Sequence, residues 1–108
     1  MLTAVPDAAL ADSIARRLVD ERIAACVSVG APVRSLYHRR GKTETAGEFP
    51  LMIKTTTGCY KAIEALVRSL HPYEVPEIIA IPITAGFAPY LDWIATETER
   101  SMAASIVA

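Results

Sequence analysis

The chain has 108 residues, the size of one small domain, and a net charge of −1, which excludes a two-domain enzyme and argues against a polyanion binder, since that needs a clustered excess of Lys and Arg. Hydrophobic residues make up 52% and charged residues 21%, so disorder is excluded. No apolar run approaches the roughly 20 residues of a membrane span, and Met1–Asp7 lacks the basic and apolar regions of a signal peptide. The expectation is a single cytoplasmic domain over residues 1–108.

Met1 to Val5 reads as a short first strand. Pro6-Asp7 stops it and suits a helix start. Leu10, Ile14 and Leu18 then recur every four residues, with Arg16, Arg17, Asp20 and Glu21 opposite, which predicts an amphipathic helix ending near Arg22. Ala25 to Val29 is a small-residue strand broken by Gly30-Ala31-Pro32, and Val33 to Arg39 resumes it. Gly41-Lys42 reads as the turn of a long hairpin with Phe49 to Thr56 as its return arm, Pro50 implying an edge position or a bulge. Thr55-Thr56-Thr57 offers hydroxyl caps for a second helix, whose buried stripe is Ile63, Leu66, Val67 and Leu70. Pro72 ends it, with His71 in the last turn, where the helix dipole favours an imidazolium. Glu77 to Ile83 is almost wholly apolar and reads as a strand covered on both faces. Pro89 opens a third helix carrying Tyr90, Leu91, Trp93 and Ile94, followed by an acidic exit (Glu97, Glu99) and a weakly patterned tail, Ser101 to Ala108.

Strand, helix, strand, strand, helix, strand and an added C-terminal helix is an α+β order. It is the ferredoxin-like split βαβ arrangement, a four-stranded antiparallel sheet with two helices on one face and a long hairpin between its second and third strands. The other sheet face is left open. A mean hydropathy of +0.29 is high for so short a chain, and both observations predict a homo-oligomer that hides the surplus apolar surface.

His71-Pro72-Tyr73-Glu74-Val75-Pro76-Glu77 is the most informative stretch. Two prolines bracket an imidazole, a phenol and two carboxylates in a rigid connection, and imidazole with carboxylate suits Cu²⁺, Zn²⁺ or Ni²⁺. The plainer reading is that the prolines direct the chain into the strand and His71 caps helix carbonyls. Tyr37 to Lys42 gathers positive charge at the hairpin tip, either to grip an anionic ligand or partner, or to discourage edge-to-edge pairing. Cys26 and Cys59 have neither CxxC spacing nor a neighbouring His. With no GxSxG, phosphate-cradling Gly loop or HExxH, and only His38 and His71 for acid–base work, nothing points to an enzyme or to an obligatory cofactor.

Taken in order, Val5-Pro6-Asp7, Leu18-Val19 to Ala24–Val27, Tyr37 with Gly41-Lys42, Ile53-Lys54-Thr55, the His71–Ile78 run and Tyr90-Leu91-Asp92-Trp93 make the chain resemble the CutA family, named for divalent-cation tolerance. The resemblance implies a homotrimer with sheets packed edge to edge about a threefold axis, and binding of copper or a similar divalent ion. Its site would be His71 with Glu74 and Glu77. A competing implication, by analogy with nitrogen-regulatory PII-like trimers, is an intersubunit cleft for a small anionic ligand or protein partner, lined by Tyr37, Lys42, Lys54 and Tyr73. Three departures stand out: Thr3 matches a position where some members carry Cys, Arg39 replaces a Trp of the hairpin, and the first strand is several residues short.

Overall fold

The computed structural model describes residues 1–98 and the backbone of residues 106–107. The acidic residue Glu99 and most of the Ser101–Ala108 tail lie outside the described residues. The elements are β1 (Leu2–Val5), α1 (Ala8–Asp20), β2 (Cys26–Val29), β3 (Val33–Arg39), β4 (Lys42–Thr56), α2 (Tyr60–Leu70), β5 (Ile78–Ile79), α3 (Ala88–Thr96) and β6 (Ile106–Val107).

Asp7 starts α1 as its composition predicts, Oδ1 accepting from the Leu10 N–H at 2.7 Å. The helix ends two residues early. Arg22 takes φ 58, and the Ile23 N–H donates back to Leu18 O at 3.1 Å, closing the last turn with a left-handed residue. The Arg22 guanidinium then reaches α3 and donates to Thr96 O at 2.9 Å.

β4 is the centre of an antiparallel sheet, flanked by β1 on one side and β2 on the other, with β5 beyond β1. The path β2-β4-β1-β5 is the expected four-stranded ferredoxin-like core. β3 continues the β2 side after the break and pairs with β4 from Val33↔Glu48 to Arg39↔Lys42, and β6 adds Thr55↔Val107 and Thr56↔Ile106. α1 packs on β1, β2 and β4, and Ile14 and Leu18 from α1 and Ile63 and Val67 from α2 bury completely, in one cluster with Leu51 and Ile53. On the other sheet face Met52 and Ile79 stay almost half exposed, the open face foreseen.

Four expectations need correction. The return arm begins at Lys42, not Phe49, because Lys42–Gly47 pairs only with β3 and has no covered face to impose an apolar alternation. The turn is Arg40-Gly41, both at positive φ (50 and 78), the pairing of conformations a two-residue type I′ hairpin needs. The threonines do not cap α2. Thr55 donates to Ile23 O at 2.7 Å, Thr56 donates to the Cys59 sulfur at 3.6 Å, and a 3₁₀ turn at Thr57–Cys59 leads into the helix instead. Finally, the apolar run after Glu77 pairs with β1 at Ile78–Ile79, at the sheet edge, and makes an isolated bridge at Pro82, with Ile79 and Ile81 nearly half exposed rather than covered on both faces.

Pro50 lies in the central strand rather than at an edge. Its carbonyl accepts from the Gly30 N–H at 2.8 Å, so the missing Pro50 donor falls opposite the Gly30–Pro32 interruption, where no ladder bond is needed. A Cβ on Gly30 would sit 2.8 Å from Pro50 Cγ, a contact only glycine permits.

Candidate functional site

His71 caps the end of α2 and is 8% exposed. Its Nδ1 accepts from the Tyr73 N–H at 3.1 Å, so the ring proton belongs on Nε2, which donates to Ala4 O at 2.7 Å. The imidazole therefore bridges β1 to the Pro72–Pro76 loop. It neither caps helix carbonyls nor leaves a ring nitrogen unengaged. The Tyr73 ring leans on it at 4.6 Å between centroids, 53° from coplanar.

Fixed this way, the loop faces the hairpin across an open cavity of about 670 Å³. Tyr37, His38 and Arg39 line it from β3, Glu48 from β4, and Tyr73, Glu74 and Glu77 from the loop. Tyr73 and Glu48 line the same cavity. Desolvation, the Glu48 charge and the nearby Tyr37 together push the Tyr73 phenol above its ordinary value of 10.0.

Sequence reasoning brings Glu74 and Glu77 to this cavity, with Tyr37 and Tyr73. It misses Glu48. Carrying the strand alternation back from Phe49 places Glu44, Ala46 and Glu48 on the face of Tyr37 and Ser35, and that was the available signal. The other two cleft candidates do not join. Lys42 sits at the hairpin tip opposite Arg39, and Lys54 lies on the open sheet face, donating to Ser28 Oγ at 2.8 Å with the Cys26 sulfur 4.0 Å away. Cys59 is buried, and Thr3 is buried with no partner for its hydroxyl among the described residues.

As a donor set for a divalent cation, the cavity offers carboxylate and phenol oxygens. Among the described residues, no three His, Cys, Asp or Glu side chains converge closely enough to enclose a metal ion. No described helix is long and apolar enough to cross a membrane.

The fold and the loop define a class: a small ferredoxin-like domain with an open sheet face and an acidic, tyrosine-lined groove. The profile of the CutA1 divalent ion tolerance protein family matches residues 1–97, and the chain belongs to that family. It is 42% identical over 98 residues to the divalent-cation tolerance protein CutA of Thermus thermophilus, covering 91% of this chain and 95% of that one. It is 44% identical over 94 residues to human protein CutA, matching 87% of this chain but only 52% of the human protein, so the chain spans about half the length of that relative. Among solved structures, CutA1 from the psychrotrophic bacterium Shewanella sp. SIB1 superimposes with a TM-score of 0.88 at 47% identity, over 91% of this chain and 92% of that one.

Proposed function

We propose that the chain works as a cytoplasmic homotrimer that binds divalent cations, copper foremost, without catalysing a reaction, and that the ion is held where the Pro72–Glu77 loop faces the hairpin. The observation that supports this reading is that Glu48, Glu74 and Glu77 line one open cavity, where single carboxylates would meet a hydrated ion without enclosing it. His71, named with Glu74 and Glu77 at the outset, serves in this reading as the fixed post that sets the loop rather than as a ligand, because ligation would cost one of its two backbone hydrogen bonds. Assembly is supported by the open apolar sheet face and by the long edge of β3, which among the described residues pairs on one side only. The competing anionic ligand finds Arg39 and His38 at one end of the groove and three carboxylates around the rest.

Calorimetric titration with Cu²⁺ and Zn²⁺ tests the reading on material whose mass is first measured by light scattering. Saturable binding by a particle of three 11.7 kDa chains, weakened at least tenfold, about 1.4 kcal/mol, by Glu74→Gln with Glu77→Gln, is the expected result. A monomer, or affinity indifferent to both substitutions, refutes it.

A further inference from the structure

Away from the groove, the open sheet face carries a thiol, an amine and a hydroxyl in one group. Cys26 of β2 stands directly opposite Lys54 of β4, and side chains paired in this way share a face with their Cβ atoms about 5 Å apart. Ser28, two residues further along β2, lies on the same face. Lys54 Nζ donates to Ser28 Oγ at 2.8 Å and lies 4.0 Å from the Cys26 sulfur, so the hydroxyl holds the amine beside the thiol. Among the described residues no carboxylate comes within ion-pairing distance of Lys54. The two cysteines differ in the respects that govern thiol chemistry. Cys26 is half-buried next to an amine, whereas Cys59 is 0% exposed and accepts from Thr56 Oγ1 at 3.6 Å. A partly open thiol beside a cationic side chain is the setting in which thiols are oxidised, and an enclosed one is inert.

We infer that Cys26 and Lys54 form a reversible sulfur–nitrogen cross-link between β2 and β4 when the protein meets a hydroperoxide. Hydrogen peroxide first transfers one oxygen to the thiol, giving a sulfenic acid, and leaves as water. Lys54, having released its ammonium proton to solvent, attacks the sulfur through the nitrogen lone pair. The S–N bond forms, the S–O bond breaks, and the hydroxyl leaves with one amine proton as a second water. The chain thus loses two hydrogens, one from sulfur and one from nitrogen, and the peroxide is reduced. An added dithiol reverses the step, returning thiol and amine as it becomes a disulfide. Because strand pairing already sets the two residues opposite each other, rotation of the flexible Lys54 stem brings nitrogen to sulfur. The cross-link does not depend on what the groove binds.

Treatment of the whole protein with hydrogen peroxide, followed by intact mass spectrometry and non-reducing tryptic mapping, tests it. The expected product is lighter by two hydrogens, resists trypsin after Lys54, shows the link at Cys26 on fragmentation, and regains its mass with dithiothreitol. Lys54→Arg, which keeps the charge but removes the amine, and Cys26→Ala should each lower the linked fraction at least tenfold. Cys59→Ala should leave it unchanged. A two-hydrogen loss that persists in Lys54→Arg is a disulfide between the two cysteines and overturns the inference. So does oxygen retained on Cys26 with trypsin still cleaving after Lys54, a disulfide joining two chains, or a chain left unmodified.

Discussion

β4 passes through two environments within one unbroken strand. In its C-terminal half Leu51, Ile53 and Thr55 are at most 1% exposed, with helices over one face and strands on both sides. In its N-terminal half Thr43, Thr45 and Gly47 are exposed, and the strand has β3 as its neighbour. The first half is held by packing and the second by a ladder. An isolated two-stranded hairpin is marginal in water, so the projecting half owes its order to the strand it continues. It also lengthens the molecule to 44 Å against 26 and 23 Å in the other directions. The acidic cavity lies against this less supported half.

The contrast can be broken most severely at Leu51. Leu51→Ala should cost about 2–5 kcal/mol by urea unfolding, the usual range for a buried Leu truncation. The same change at Leu36, 61% exposed on the hairpin, should stay within about 0.5 kcal/mol if nothing covers it. A larger loss at Leu36 that disappears when the protein is diluted to monomers would place that side chain in a contact between chains.

Next in size is His71, which joins the two halves through β1 and the loop. His71→Ala leaves Ala4 O and the Tyr73 N–H without their partner and should cost about 1–3 kcal/mol. Because the loop is then untethered, Tyr73 should also lose its fixed position, readable as a changed ring environment in NMR. Unchanged stability and an unchanged Tyr73 signal would show that the prolines alone hold the loop.

Two threonines on the covered sheet face sharpen the packed half. Thr55→Val removes the bond to Ile23 O and should destabilise by about 1 kcal/mol, while Thr3→Val removes a buried hydroxyl with no partner and should be neutral or stabilising. Equal losses at both sites in thermal unfolding would contradict the difference.

The smallest effect is in alkali. The Tyr60 phenol donates to Glu64 at 2.7 Å and is raised chiefly by that bond, and Tyr73 is raised chiefly by desolvation with Glu48 adding to it. Each phenol is favoured protonated in the folded protein, so its contribution is complete below its ordinary value of 10.0 and fades as pH rises through the higher folded value. Ultraviolet titration should show Tyr60 and Tyr73 ionising late, and Tyr60→Phe and Tyr73→Phe should each remove one late phase.

What was legible in the sequence follows the same division. α1, α2 and the packed half of β4 announced themselves because a covered face forces apolar residues into a period, as Ile14, Leu18, Leu51 and Ile53 do. The outer half of β4 was hidden because Thr43, Glu44 and Thr45 face no core. His71 was recognised as central, but its partner Ala4 is 67 residues away, and no local pattern reports a contact to a backbone carbonyl so distant. Glu48 escaped for the reason that concealed its strand. The apolar run after Glu77 misled in the opposite direction: its composition resembles that of an interior strand, yet in one chain it lies along an outer margin.

The close approach of Gly30 to Pro50 has a consequence for the groove. The hairpin leaves the core at this crossing, and nothing larger than hydrogen fits between the two residues. The joint where the hairpin leaves the sheet is therefore closed on Pro50, two residues along β4 from the lining residue Glu48. Adding a methyl to Gly30 would force a shift at this joint while leaving every lining side chain chemically unchanged.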